Sequence, residues 1–325
     1  MSKPSVYVTR LLPEETLAML KERCHVEMNP GYDVLSKEEL LEKLKGKDAV
    51  LVSHTEIDEE ICKAIKSHCK MLASYGVGYN NIDIEAATKY GIYVSNNPDA
   101  VTSATADLTW ALLLAVSRRI VECDQYVRSG KKDWGPTNLL STQVSGKTFG
   151  IIGSGRVGTA VGRRAKGFDM DIIYTDVKPN PAFEEATGGR FVDKDTLLKE
   201  ADHISIHVPL LPATHHYIGS DEFKLMKKTA ILINAARGPL VDENALIEAL
   251  QNGKIAGAGL DVFENEPELD LRLVRLPNVV LTPHVGTSTM HARMLQGEGC
   301  ARNIFSALDG EIPANCLNPE AKKNQ

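Results

Sequence analysis

The residues that most constrain this chain lie near its middle. Thr148-Phe149-Gly150-Ile151-Ile152, a short apolar run, passes directly into Gly153-Ser154-Gly155-Arg156-Val157-Gly158, and an apolar-periodic segment follows to Lys166. So short a run reads as a buried strand, and the glycines as the turn between it and a helix. Gly153 permits the tight turn, Gly155 lets backbone approach a diphosphate, and Gly158 lets the helix sit close to the sheet. Unpaired amides at the helix start favour phosphate charge. Asp176 ends the next strand, Asp171-Ile172-Ile173-Tyr174-Thr175. There, about twenty residues beyond the glycines, an acid can grip ribose hydroxyls. In isolation these would be an ordinary turn and an ordinary acidic strand end; their placement around strand and helix predicts a dinucleotide site. A carboxylate repels a 2′-phosphate, so NAD is expected over NADP, with Lys178 as a nearby opposing charge.

Strand and helix patterns alternate on both sides of this motif. Before it, strand-like residues 6–9, 49–52, 71–73 and 93–95 are separated by helical patterns at 13–21, 38–44, 58–67 and 82–89. Residues 104–128 read as one long helix, and 128–146, with Gly130, Trp134, Gly135 and Pro136, as an excursion without a strong period. After it, strands are predicted at 148–152, 170–175, 191–192, 203–207, 230–234, 255–260 and 279–281. Helices fill 157–166, 195–200, 220–226 and 242–251, and another begins at 288. This is the pattern of α/β domains with mostly parallel sheets covered by helices. A length of 325 residues suits two domains. The last helical stretch, through Ile304-Phe305-Ser306-Ala307-Leu308, is expected to return to the first domain and make it discontinuous.

Composition narrows the remaining classes. Hydrophobic residues at 43% and charged residues at 25% describe a globular chain rather than a disordered one. A formal net charge of -6, with basic pairs only as short as Arg163-Arg164 and Lys227-Lys228, gives no reason to expect nucleic acid. The six cysteines form no CxxC or zinc-ribbon spacing, so no metal is expected and the thiols read as reduced. The most apolar helical stretch, residues 110–116, is too short to span a bilayer, and Met1-Ser2-Lys3-Pro4 leads into a strand without a signal-peptide segment. A cytoplasmic protein is the expectation.

Two further segments place chemistry at strand ends. Ala230-Ile231-Leu232-Ile233-Asn234 delivers Arg237, with Gly238 opening the turn, at the edge where open α/β sheets bind ligands. The guanidinium fork suits a planar carboxylate, although alone it is equally compatible with a surface salt bridge. His284, in Thr282-Pro283-His284-Val285-Gly286, follows a strand and can exchange a proton near neutral pH; it could equally be structural. Glu266 lies between Glu264 and Glu268 and is singled out only by the adjacent Pro267. Beside His284 it would hold one ring nitrogen. His203 and His207 share a strand face and read as packing, and His215-His216 as exposed loop.

Through these segments together the chain resembles the D-isomer-specific 2-hydroxyacid dehydrogenases over essentially its whole length, above all the glyoxylate/hydroxypyruvate reductase (glycerate dehydrogenase) branch. The resemblance is carried by His207-Val208-Pro209-Leu210, by Met226-Lys227 with Ile233-Asn234-Ala235-Ala236-Arg237-Gly238, by Gly259-Leu260-Asp261-Val262-Phe263, and by Leu281-Thr282-Pro283-His284-Val285-Gly286. It implies a nucleotide-binding Rossmann domain, residues 103–289, inserted into a flavodoxin-like substrate-binding domain, residues 1–102 plus 290–325. It implies NAD(H)-dependent interconversion of a small 2-keto acid and its D-2-hydroxy acid, with 3-phosphoglycerate dehydrogenase and a nicotinamide-sensing corepressor as alternatives. By the resemblance, Arg237 binds the substrate carboxylate, His284 is the acid-base group and Glu266 its partner. The amides of Val77 and Gly78 also receive the carboxylate, and His54 lies near the variable end. Cofactor contacts fall on Gly153, Gly155, Arg156, Val157, Gly158, Asp176, Thr105, Val208, Pro209, Ala235, Asp261, His284 and Gly286. Family members are commonly dimers joined through the nucleotide domains. One departure is Asn80, where the family usually has an aspartate; Arg10 is the cation that a phosphorylated substrate would call upon.

Overall fold

Short strands that are apolar on both faces need helices on both sides, and the computed structural model shows two such sheets. It describes residues 3–31, 33–98 and 100–324. These divide into two units, Met1–Val101 with Thr287–Gln325, and Thr102–Gly286.

In the first unit β1 (Ser5–Val8), β2 (His25–Met28), β3 (Ala49–Val52), β4 (Met71–Ser74) and β5 (Tyr93–Ser95) form a parallel sheet in the order β2-β1-β3-β4-β5. Alternation sends Val6, Val8, Ala49 and Leu51 into one core and Tyr7, Val50 and Val52 into the other. The helix Met290–Leu308 belongs to this unit and packs on β4, with Cys300, Ala301 and Ile304 in the first of these cores.

The second unit holds β6 (Thr148–Ile152), β7 (Asp171–Thr175), β8 (Arg190–Phe191), β9 (His203–Ile206), β10 (Ile231–Asn234), β11 (Gly257–Leu260) and β12 (Val279–Leu281). Their order is β12-β11-β10-β9-β6-β7-β8, with every ladder parallel. This is a Rossmann-type sheet inserted in a flavodoxin-like one. Strand order reverses at β6 and β9, the place where such sheets bind ligands. Register makes that edge a straight row. Thr175, Ile152, Ile206, Asn234, Leu260 and Leu281 pair in sequence across six strands. The residues that follow them therefore leave the sheet side by side.

Three features differ from the sequence expectation. The long helix 104–128 is two helices, Thr102–Ser117 and Ile120–Arg128, because Arg119 takes a left-handed φ of 53°. Its guanidinium bonds Glu122 and the Leu140 carbonyl, while the Thr142 amide bonds the Ser117 carbonyl, so the returning arm closes the break. Strand β2 escapes the sequence pattern because it is a half-exposed edge, with His25 and Glu27 diluting the apolar signal. Leu271–Val274 escapes it because it is a single turn, and Pro181–Thr187 because Asn180-Pro181 reads as a turn and only Phe183 and Thr187 are buried. Among the described residues no helix is long and apolar enough to cross a membrane.

His203 and His207 are packing residues. Nε2 of His203 lies 3.1 Å from Ser117 Oγ, its Nδ1 has no partner among the described residues, and Nε2 of His207 lies 2.6 Å from Ser205 Oγ. Burial pushes His203 down to about 4 and His207 to about 3. In the unfolded chain both bind a proton near pH 6.5. Between that value and the folded values the unfolded state holds more protons, so stability is lost as pH falls, by about 1.4 kcal/mol per pH unit for each histidine. Denaturant titrations from pH 7 to pH 4.5 should show this decline, and His203→Gln should make it shallower. An unchanged slope would count against the buried neutral imidazole.

Candidate functional site

The glycine turn follows β6 at the order reversal. Gly153 has φ +100°, and a Cβ there would stand 2.7 Å from the His207 carbonyl oxygen and 2.9 Å from Val208 Cγ1. A Cβ on Gly158 would fall on the Gly153 carbonyl. These two glycines are required by the fold itself. Gly155 is not: its φ is -70° and nothing lies within 4 Å of where a Cβ would stand. It begins the helix Arg156–Ala165 with no side-chain cap, and amides of a first helical turn are the donors that a phosphate accepts from. An open surface, a helix start without a cap and a helix dipole together fit a diphosphate.

Asp176, just past β7, closes one side of this turn. Its Oδ2 accepts from the Ser154 amide at 2.8 Å and the Ser154 hydroxyl at 2.6 Å, and its Oδ1 from the Val177 amide at 2.7 Å. Burial works against the charge, but these hydrogen bonds prevail and hold the carboxyl below its usual range. Asn180 adds bonds to the carbonyl and hydroxyl of Ser154. Neither Ser154 nor Asn180 stands out in the sequence, because neither belongs to the glycine spacing.

Arg237 leaves the sheet after β10. The Asn234 side chain shapes its turn, accepting from the Ala236 amide at 3.0 Å and donating to the Arg237 carbonyl at 2.8 Å. A Cβ on Gly238 would fall on the Phe263 carbonyl, so this turn is pressed directly against the loop after β11. That loop carries Glu266. Its Oε1 accepts from the Phe263 amide at 2.8 Å, and its Oε2 lies 2.7 Å from Nδ1 of His284. Burial pushes the Arg237 guanidinium down, and the negative charge of Glu266 acts against it. The Glu266 charge is thus bonded to His284 and felt by Arg237. The neighbouring acids do otherwise: Glu264 bonds His216 and Glu268 is exposed.

Asp261 fixes the far end of this constellation. It is 1% exposed and accepts from Thr282 Oγ1 at 2.6 Å and from the amides of Val285 and Gly286 at 2.8 Å each. Burial raises its pKa, opposed by these bonds and by the nearby His284. His284 itself sits at φ 52°, its amide bonded to the Asp261 carbonyl at 2.9 Å. Thr105 is buried beside Gly286, its Oγ1 3.5 Å from where a Cβ would stand there. Pro209 and Ala235 follow β9 and β10 on the same edge.

In the first unit, residues 74–82 form a braced loop at the end of β4. Its carbonyls are tied back: Gly76 accepts from the Asn97 amide, Val77 from Asn96 Nδ2 and Gly78 from Ser74 Oγ. The amides of Val77 and Gly78 donate to no described residue. Asn81 braces the loop, donating to the Thr55 carbonyl at 2.6 Å. His54, with φ 47°, is exposed at the end of β3.

Comparison with known proteins agrees with this architecture. The profile of the D-isomer specific 2-hydroxyacid dehydrogenase, NAD binding domain, matches residues 110–286. The chain is 49% identical to a glyoxylate reductase of Thermococcus litoralis over 324 residues, 98% of each chain. A crystal structure of a Thermus thermophilus protein superposes with a TM-score of 0.91 at 42% identity, covering 96% of this chain and 99% of that one. An NADPH-dependent glyoxylate/hydroxypyruvate reductase of Sinorhizobium meliloti, solved with NADP and malonate, gives 0.86 at 29% identity over 98% of both.

The glycine geometry makes a direct test. Gly158→Ala should cost about 3 kcal/mol or more of unfolding free energy, as a methyl group forced against backbone. Gly155→Ala should cost about 1 kcal/mol at most, the difference between these residues at a helix N-cap. Urea titrations of the two variants decide it.

Proposed function

The chain belongs to the D-isomer-specific 2-hydroxyacid dehydrogenase family, and from that premise we propose that it reduces a small 2-keto acid, of the glyoxylate or hydroxypyruvate type, to the D-2-hydroxy acid. The observation that carries this reading is the Glu266 carboxylate bonded to His284 on the loop against which the Arg237 turn is packed. When bound, the reduced nicotinamide supplies the hydride; the chain's own residues supply position, charge and the proton.

Arg237 holds the substrate carboxylate and polarises the keto oxygen. Its charge counts for more in a partly dehydrated site than at a surface. Glu266 accepts from Nδ1 of His284 and so dedicates Nε2 to exchanging a proton with the substrate oxygen. The Phe263 amide anchors the other oxygen of Glu266, which keeps the imidazole from turning. The amides of Val77 and Gly78, left without acceptors by the bracing of their loop, receive the substrate carboxylate, with His54 at its variable end.

The turn at Gly153, Gly155 and Gly158, with the helix start at Arg156 and Val157, holds the pyrophosphate of the cofactor. Thr105, Val208, Pro209, Ala235, Asp261 and Gly286 border it along the same edge. NADH is preferred over NADPH: Asp176 is held ionised and would meet a 2′-phosphate with like charge. Because a relative is NADPH-dependent, this preference is argued from the chain's own Asp176 rather than from the family. We further infer a cytoplasmic homodimer. Support comes from six cysteines without a disulfide and from Ile120, Val127, Trp134 and Leu140, all more than half exposed on the second helix and its arm.

The decisive assay is turnover of glyoxylate, hydroxypyruvate and phosphohydroxypyruvate with NADH and NADPH in parallel. The first two substrates with NADH should prevail; tight cofactor binding without turnover would favour a sensor instead. His284→Asn should lower kcat by about 10²–10⁴-fold and remove an ionisation from the pH-rate profile. Asp176→Ala should raise kcat/KM for NADPH relative to NADH. Gly155→Ala should keep its fold and lose the thermal shift that NADH gives the parent protein.

A further inference from the structure

Away from the residues assigned to turnover, one cluster combines donor atoms of metal-binding type. His215, His216 and Glu264 each place one ligand atom so that all three lie within 4.8 Å of one another. Consecutive side chains of an extended segment point to opposite sides. Here His216 takes φ 49°, and the two imidazoles lie face to face with ring centroids 4.0 Å apart. That backbone conformation is disfavoured for a residue with a Cβ. It is held by the His215 amide on the Leu211 carbonyl at 3.0 Å and the His216 amide on the Pro239 carbonyl at 2.8 Å. Glu264 enters from the loop after β11, its Oε1 2.7 Å from His216 Nε2.

The surroundings are acidic. Asp242 Oδ2 lies 4.0 Å from His216 Nδ1. Glu243 and Glu264 exchange amide-to-carboxylate bonds of 3.2 Å each, which brings two carboxylates together. A cation would relieve their repulsion.

We propose that His215, His216 and Glu264 form a binding site for a divalent transition-metal ion of the zinc class. Two imidazoles and a carboxylate suit zinc, cobalt or nickel, whereas magnesium prefers oxygen donors. Bonds of about 2.0–2.2 Å set neighbouring donors on a tetrahedral ion about 3.4 Å apart. The donors lie within 4.8 Å of one another, close enough for small side-chain shifts to bring them to that spacing. On binding, the hydrogen bond between His216 and Glu264 gives way to one bond from each to the ion, the imidazoles bind neutral, and any proton they carried goes to solvent. Water fills the remaining position. The ion would clip residues 211–218 to the loop that also carries Glu266.

Calorimetric titration of chelator-stripped, full-length protein with Zn²⁺, Co²⁺ and Mg²⁺ tests this. One Zn²⁺ should bind per chain, Mg²⁺ should not, and the Co²⁺ spectrum should lack a thiolate charge-transfer band. His215→Ala, at an exposed position, should fold normally and weaken Zn²⁺ binding at least tenfold, as should Glu264→Gln. In metal-free buffer His215→Ala should turn over 2-keto acid like the parent, which separates this site from the proposed reaction. Zn²⁺ affinity unchanged in His215→Ala, or a thiolate band with Co²⁺, would place the ion elsewhere and overturn the proposal.

Discussion

A carboxylate bonded to an imidazole, on a loop against which the turn of Arg237 is packed, is the interaction on which the functional reading depends. Glu266 meets His284 because its side chain is not free to choose: one oxygen is fixed by the Phe263 amide, leaving the other for Nδ1 of His284. Its charge also supports that of Arg237, whose burial would otherwise disfavour the cation. Arginine thereby keeps its positive charge at a half-buried position.

The sheet register makes this arrangement possible. Asn234, Leu260 and Leu281 pair across three adjacent strands, so the turns carrying Arg237, Glu266 and His284 start abreast. The packing of Gly238 on the Phe263 carbonyl then brings the first two loops into backbone contact. Asp261 ties the third, its buried carboxylate accepting from Thr282, Val285 and Gly286. Any side chain at 238, or loss of the acid at 261, would move loops rather than single atoms.

The fold was legible because its strands are short, apolar on both faces and punctuated by glycine or acid. What failed to show was weakly patterned: the edge strand β2, two short helices and the break at Arg119, where a positive φ leaves no mark on helical periodicity. The site was legible in outline through Gly153, Asp176, Arg237 and His284, which all follow strand ends. Its supporting bonds were not. Ser154, between two of the glycines, bonds Asp176, and Asn180 bonds Ser154 from the next loop, while Asn81 braces the loop whose neighbour, Asn80, is the one that stands out in the sequence.

The loop after β11 shows why sequence alone stops there. Asp261, Glu264, Glu266 and Glu268 lie within eight residues and carry the same charge. Spacing cannot rank them, yet each has a separate environment. Asp261 is buried under the segment 282–286, Glu264 faces His216 and Glu243, Glu266 meets His284, and Glu268 is exposed. The difference comes from partners 18 to 48 residues away in the chain for His284 and His216. A carboxylate's role in this molecule is therefore set by which neighbouring strand end it reaches, and a one-residue shift of that loop would put Asn265 or Pro267, not an acid, opposite His284.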